Sequence, residues 1–455
     1  MGETAAGRRV LLLNPAWKRL EEPFEHLGLG CLAASLRRAG IDTVILDEPL
    51  CGGRSGTLQL VREGGFGLIG VSVTFQEGAA EALTAITRLK AATGVPVAIG
   101  GIYPTFAAEE ILSLYPAVDF IVKGEGEETL PELAETLFSG GDVKRVPGLV
   151  GRTGTELWET PDRPGVADLD TLPWPARDTL PAVLKRTGVA SLLSSRGCYG
   201  RCSFCSVDAF FSRFGAKMRR RSTEDVLAEM EELIGRYGVS NFSFNDANFI
   251  GGKGRGRERA REIAGGILQK GWKIKFSIEC RVTDVDKELF SLLKQAGLCK
   301  VFLGVESGSQ SVLDRFRKDA TVEENMRALE ILSGLDLFVA MGFIMFDSKT
   351  TFAELNENIQ FLQQVKAVTG RPYLAQVDPV SKLLPFAGTK AEADLKAEGR
   401  YRGNTLSFSY CLKDPKVEAL YRLLCLFTGA GRKLRTLRGK SLYREYDWQT
   451  GTIKD

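Results

Sequence analysis

Short apolar runs alternate with helical stretches through the first third of the chain. Val10-Leu11-Leu12-Leu13 closes at Asn14-Pro15 and predicts a buried strand. Residues 29–38 have helical periodicity and stop at Gly40, followed by a predicted strand at 43–46. Further strands are predicted at 68–73, 95–99 and 120–122, with helices at 79–92, 107–114 and 128–138. Strands alternating with helices predict a doubly wound parallel sheet. Ligands of such sheets sit beyond the carboxyl ends of the strands. The ends here carry Asn14-Pro15, Thr74-Phe75, Gly100-Gly101 and Gly124-Glu125-Gly126-Glu127.

Pro147-Gly148 and then Pro161 to Pro175 form a connector rich in proline and aspartate, of which residues 168–175 are too rich in proline for regular structure. Beyond it the alternation resumes with a longer period. Strands are predicted at 190–194, 241–244, 273–278, 301–305, 338–344 and 373–377, with helices near 223–237, 257–269, 287–295, 323–333 and 352–365. Six parallel strands fall short of the eight of a closed barrel and predict a partial one. An apolar helix is expected at 417–427, and the basic run 432–440 reads as a solvated face. The expected units are 1–145, a connector at 146–186, a partial barrel at 187–390 and a C-terminal appendage at 391–455.

Composition narrows the functional classes. A net charge of +3 on 455 residues gives no reason to expect a nucleic-acid partner. No run of 18 apolar residues occurs and the start lacks a secretory pattern, so a cytoplasmic, membrane-free protein is expected. Nine cysteines, an odd number, agree with a reducing compartment. With one histidine in the chain, proton transfer falls to carboxylates, lysine, tyrosine or cysteine.

Three of the cysteines, Cys198, Cys202 and Cys205, lie within eight residues as Cys-x3-Cys-x2-Cys. Thiolates so close favour a soft metal or cluster over disulfides. A structural zinc would want a fourth protein ligand, and His26 is distant in sequence. Polar residues end every predicted barrel strand: Asp246 after the second, Glu279 and Arg281 at the third, Glu306 at the fourth, Asp347 at the fifth and Asp378 at the sixth. Functional residues of parallel barrels gather on that rim.

The cysteine spacing, directly after the first of six barrel strands, resembles the signature of the radical S-adenosylmethionine (SAM) superfamily. The resemblance implies a 4Fe–4S cluster on the three cysteines, with SAM on the iron they leave open. It implies that Arg281 pairs with the SAM carboxylate and Glu306 holds its amino group or ribose, with Asp246 a second acidic candidate. Phe204 and the run from Phe343 would pack against the adenine. An electron donor such as flavodoxin or ferredoxin is implied as partner. The Gly100–Thr105 and Gly124–Glu127 loops resemble those of the Rossmann-like, cobalamin-binding-type domain that precedes many such barrels.

Two motifs are set aside. Gly28-Leu29-Gly30-Cys31-Leu32-Ala33 has a dinucleotide-type pattern but lies a long loop after its strand. His26 lacks the Asp-x-His-x-x-Gly context of a cobalt ligand, having Phe24 two residues before it and Leu29 three after. Cobalamin occupancy is therefore left open. One outcome is methyl transfer to an unactivated carbon with cobalamin in the front domain. A second is radical dehydration without cobalamin, with Asp378 or Glu279 as acid or base. The compact layout resembles the radical dehydratases that remove the 3′-hydroxyl of an aminoglycoside in apramycin-type pathways, which favours the second outcome and an amino-sugar substrate. A non-catalytic iron–sulfur protein or cobalamin-type sensor is the third.

Overall fold

The computed structural model describes residues 7–16, 24–51, 56–74, 76–215, 217–370, 377–437, 445–446, 448 and 453–454. The first sheet holds β1 (Arg9–Asn14), β2 (Asp42–Asp47), β3 (Phe66–Ser72), β4 (Val97–Gly100) and β5 (Phe120–Val122). These run parallel in the order β2-β1-β3-β4-β5. Its helices are α1 (Leu27–Arg38), α2 (Thr57–Glu63), α3 (Ala79–Thr93), α4 (Ile102–Phe106), α5 (Ala108–Leu114) and α6 (Gly126–Ser139). The apolar run of β1 is buried on both faces. Leu11 and Leu13 join the core that contains Leu83 and Ile86 of α3, while Val10 and Leu12 join Leu29, Ala33 and Leu36 of α1. Burial on both sides is why this strand reads as continuous rather than alternating.

The expected connector begins inside this sheet. Residues Leu149–Thr153 (β6) and Glu156–Glu159 (β7) add two antiparallel strands to its edge. Trp158 packs against Phe120 at a ring separation of 6.3 Å. A Cβ on Gly151 would stand 2.3 Å from the Trp158 ring, so a glycine is required beneath it. Flanking prolines and glycines masked this pair in the sequence.

Helix α7 (Leu180–Thr187) leads into β8 (Ala190–Leu192), then β9 (Ser195–Gly197), α8 (Ser206–Arg213) and β10 (Met218–Arg220). Next come α9 (Thr223–Tyr237), β11 (Asn241–Phe244), α10 (Arg255–Gln269), β12 (Lys275–Arg281), α11 (Lys287–Gln295) and β13 (Leu298–Glu306). α12 (Gln310–Arg315), α13 (Val322–Gly334), β14 (Phe338–Phe343) and α14 (Phe352–Thr369) follow. Among the described residues, β8, β11, β12, β13 and β14 form a five-stranded parallel sheet in chain order. Most of the expected sixth strand, 373–376, lies outside the described residues, as do the side chains of the basic run 432–440. Phe346 makes an isolated parallel bridge to Lys382.

The pleat sorts the barrel wall. Phe276, Ile278, Val301, Leu303, Val339 and Met341 face the helices and form one core with Met230, Ile263, Phe290, Leu329 and Val365. Alternation places Ser277, Glu279, Lys300, Phe302 and Ala340 on the opposite, inward face. After the barrel, α15 (Lys390–Ala397) and α16 (Pro415–Leu437) pack outside, and Tyr446 and Trp448 approach β12 and β14. No helix among the described residues is long and apolar enough to cross a membrane.

Candidate active site

The cysteine loop runs between β9 and α8 and is strapped from several sides. The Ser203 N–H donates to the Phe316 carbonyl at 2.8 Å, and its hydroxyl donates to that of Arg315 at 3.1 Å. Tyr199 donates to Asp284 at 2.8 Å. Arg281 reaches Cys202 Sγ at 3.2 Å and also donates to the Lys318 carbonyl. A Cβ on Gly200 would lie 2.4 Å from that guanidinium, so only glycine lets the arginine through. Phe204 packs edge-on to Phe316 at 5.2 Å.

The donor set suits a cluster. Among the described residues no three His, Cys, Asp or Glu side chains converge on a single ion. A cube taking one thiolate per iron asks only that three thiols line one opening. Burial pushes Cys205 up to about 11, and the charges of Cys202 and Cys198 push the same way. Three thiolates therefore need cations among them, which iron supplies.

Arg281 and Glu306 end the neighbouring strands β12 and β13. Glu306 ends β13 with φ +67° after a register shift, and pairs with Lys318 at 2.8 Å. Its carboxylate lies across Gly304 and Gly342, whose missing side chains make room for it, and Gly304 is the strand partner of Arg281. Three other expectations are corrected. Asp246 is fully buried and accepts from the Ser194 N–H and from the Ser194 and Ser195 hydroxyls. It pins the strand before the cysteine loop instead of facing a ligand. Phe343 is stacked on Phe361 at 6.2 Å, on the helix side of the sheet, so it cannot flank an adenine in the lumen. Asp378 caps its own turn through the Val380 N–H and lines neither of the two large cavities.

Those two cavities meet between the front domain and the barrel. The smaller, about 340 Å³, is lined by Gly70, Gly100, Gly124 and Glu125 on one side and by Ser195, Arg196, Gly197 and Val207 on the other. Its barrel wall thus flanks the cysteine loop. A Cβ on Gly100 would meet nothing closer than 3.5 Å, so the space before that glycine is open for a ligand. The larger, about 820 Å³, extends along the inward barrel face past Asn245, Glu279, Lys300 and Phe302 to Tyr446 and Trp448. Burial pushes Glu279 up to about 7; Asp246 adds to the shift and Lys300 opposes it.

Paired charges join the two walls. Arg196 binds Glu125 at 2.7 Å and Glu127 at 2.5 Å, and Arg219 grips both Glu125 oxygens at 2.7 Å. Burial alone would raise Glu125, but the two arginines outweigh it and hold it below its ordinary value. Arg177 similarly ties Glu25 to Glu229. Sequence reasoning missed Arg196, Arg219, Lys300, Phe302 and Lys318. The i, i+2 spacing along β13 would have indicated Lys300 and Phe302; the partners of the arginines are distant in sequence and left no local sign.

The set-aside motifs have local explanations. His26 caps α1, its Nδ1 accepting from the Leu29 N–H at 3.2 Å, and burial lowers it to about 4. A cap made through that lone pair leaves the proton on Nε2, so this ring is not presented as a metal ligand. A Cβ on Gly30 would lie 2.8 Å from the Ala176 carbonyl, so this glycine serves close packing rather than a dinucleotide.

Comparison with known proteins agrees with this geometry. Residues 192–362 match the radical SAM superfamily and residues 18–134 match the B12 binding domain. Over 341 residues the chain is 32% identical to the hopanoid C-3 methylase of Methylococcus capsulatus, covering 70% of this chain and 61% of the methylase. Over 263 residues it is 34% identical to the anaerobic magnesium-protoporphyrin IX monomethyl ester cyclase of Cereibacter sphaeroides, covering 55% and 42%. The chain spans 39% to 62% of the length of these and similar curated relatives. Its fold is similar to that of the cobalamin-dependent SAM radical enzyme OxsB solved with aqua-cobalamin and SAM, with a TM-score of 0.78, 22% identity and coverage of 92% of this chain and 66% of that one. The chain carries a B12-binding domain followed by a radical SAM domain.

Proposed function

We propose that the chain is a cobalamin-dependent radical SAM methyltransferase acting on an unactivated carbon of a small molecule. One observation carries the reading: the front-domain glycine loops and the strand and helix flanking the cysteine loop line one shared space. A B12 domain kept only as scaffold would not need that opening. When bound, the cluster supplies the electron that cleaves SAM, and cobalamin carries the methyl group. In this reading Cys198, Cys202 and Cys205 hold the cluster. Arg281 fixes the charge beside Cys202, and Glu306, held by Lys318, is the acidic group for the SAM amino group or ribose. The Glu125–Arg196–Arg219 clamp sets the distance between the two cofactor sites, and the surrounding protein excludes water.

The dehydration reading, favoured on layout, loses its support. The relatives' names speak of a methylase and a cyclase, Asp378 lines neither large cavity, and an open space stands before the front-domain glycine loops that this reading left without cobalamin. The test is product analysis after anaerobic reconstitution with SAM and reductant. S-adenosylhomocysteine that forms only when cobalamin is added is expected alongside 5′-deoxyadenosine. Release of 5′-deoxyadenosine with no cobalamin-dependent S-adenosylhomocysteine would contradict methyl transfer.

A further inference from the structure

One carboxylate in the chamber is treated unlike the others. Asp246, Glu125, Glu229 and Glu306 are all enclosed by protein, and each is hydrogen-bonded or ion-paired. Glu279 instead is exposed to the larger cavity, and no hydrogen bond or ion pair reaches its carboxylate among the described residues. A carboxylate lining a cavity without a protein partner is free to take a cationic ligand. Its position is also informative. Arg281, two residues on and on the same face, touches Cys202. Two strand residues are about 7 Å, so Glu279 stands about that far along the strand from the residue that touches the cysteine loop.

The rest of the chamber agrees in sign and shape. Asp47, on the opposite wall, is buried and its Oδ2 lacks a partner among the described residues. Glu25, also in the wall, is neutralised by Arg177. Phe302, Tyr446 and Trp448 supply flat apolar surface near these carboxylates. Aromatic faces beside unsatisfied carboxylates favour an organic cation over an anion.

We propose that Glu279 is the subsite for a protonated amine, so the substrate is a small molecule with a basic nitrogen near the carbon that is attacked. This rests on the radical SAM reading above. Glu279 then anchors the substrate and orients the reacting carbon toward Arg281 and the cysteine loop.

Phenethylamine, 2-phenylethanol and phenylacetate serve as matched cationic, neutral and anionic probes. Each is titrated calorimetrically into the full chain reconstituted with cluster, SAM and hydroxocobalamin. The amine is expected to bind about tenfold or more tightly than the alcohol, with the anion weakest. Glu279→Gln is expected to abolish the preference. In the wild type, amine binding is expected to tighten as pH rises from about 6 to 8, because Glu279 ionises there while the amine stays protonated. The other ionisable groups lining this space are Lys300 beside Glu279, Tyr446, and Asp47, Glu25 and His26 on the far wall, while Asp246 is buried behind the wall. Asp47 and Glu25 are raised by burial to about 6 and His26 is lowered to about 4, so all three titrate below Glu279.

Absence of an amine preference in the wild type, or a preference unchanged in Glu279→Gln, overturns the proposal. If that variant does not fold, the wild-type ratio and its pH profile decide. A chain that takes up iron and SAM but shows no amine preference contradicts the amine subsite alone. One that takes up neither contradicts the radical SAM reading.

Discussion

The two walls of the interdomain space handle charge in opposite ways. On the front-domain wall, Glu125 and Glu127 are matched to Arg196 and Arg219, and the floor is glycine. On the barrel wall, Glu279 is exposed to the cavity with no such match among the described residues. Paired charges at a domain boundary fix geometry, because either partner left alone in a buried site is strongly unfavourable. The unmatched carboxylate is left for solvent or a ligand to complete. One wall is built to hold parts in place, and the other to receive a molecule.

The largest effect that would break this picture is at the cysteine loop. Cys202→Ala is expected to lose the cluster's iron and visible absorbance and to reduce 5′-deoxyadenosine to background. Normal SAM cleavage by that variant would refute the cluster assignment.

Next comes the clamp. Glu125→Ala leaves Arg196 and Arg219 short of a partner, at a cost of about 3–5 kcal/mol in denaturant unfolding. The sign of its pH dependence follows from its depressed value. Its contribution is present above the ordinary carboxylate range and is lost as pH falls through the folded value. A change below about 1 kcal/mol would mean that the pairs are incidental.

A smaller effect is expected on the glycine floor. Gly100→Val projects into space the protein does not fill. It is expected to weaken hydroxocobalamin binding about tenfold, with little change in unfolding midpoint. Unaltered binding would move the cobalamin away from this wall.

The smallest is on the barrel wall and has the opposite sign to Glu125. Glu279 is raised from 4.5 to about 7, so the folded state holds its proton more tightly than the unfolded state. Wild-type stability therefore falls as pH rises across that interval. Glu279→Gln is expected to raise the melting temperature at pH 8 and to leave it nearly unchanged at pH 5. An equal change at both would show that the carboxylate is not strained by ionisation.

Much of this was legible in the chain. The strands β1 to β5 and β11 to β14 announce themselves because they are apolar runs buried between helix layers. The cysteine triad is local, and so is its meaning. Contacts that depend on the third dimension were not readable. Phe343 and Phe302 are both aromatic residues on neighbouring strands, and only the pleat parity, set by register, sends one to the helices and the other to the lumen. Asp246 looked like a rim residue because it follows a strand, but the two serines before the cysteine loop claim it. β6 and β7 were hidden by prolines and glycines, and Arg196 by a partner 71 residues away.

The central claim is that the space between the walls holds cobalamin beside the cluster. It is tested most directly by anaerobic reconstitution with iron, sulfide and hydroxocobalamin, followed by gel filtration and analysis of iron, cobalt and the visible spectrum. The account predicts that cobalt elutes with the protein in a one-to-one ratio alongside the cluster, and that Gly100→Val lowers the cobalt without lowering the iron. A full complement of iron with no retained cobalt would contradict it.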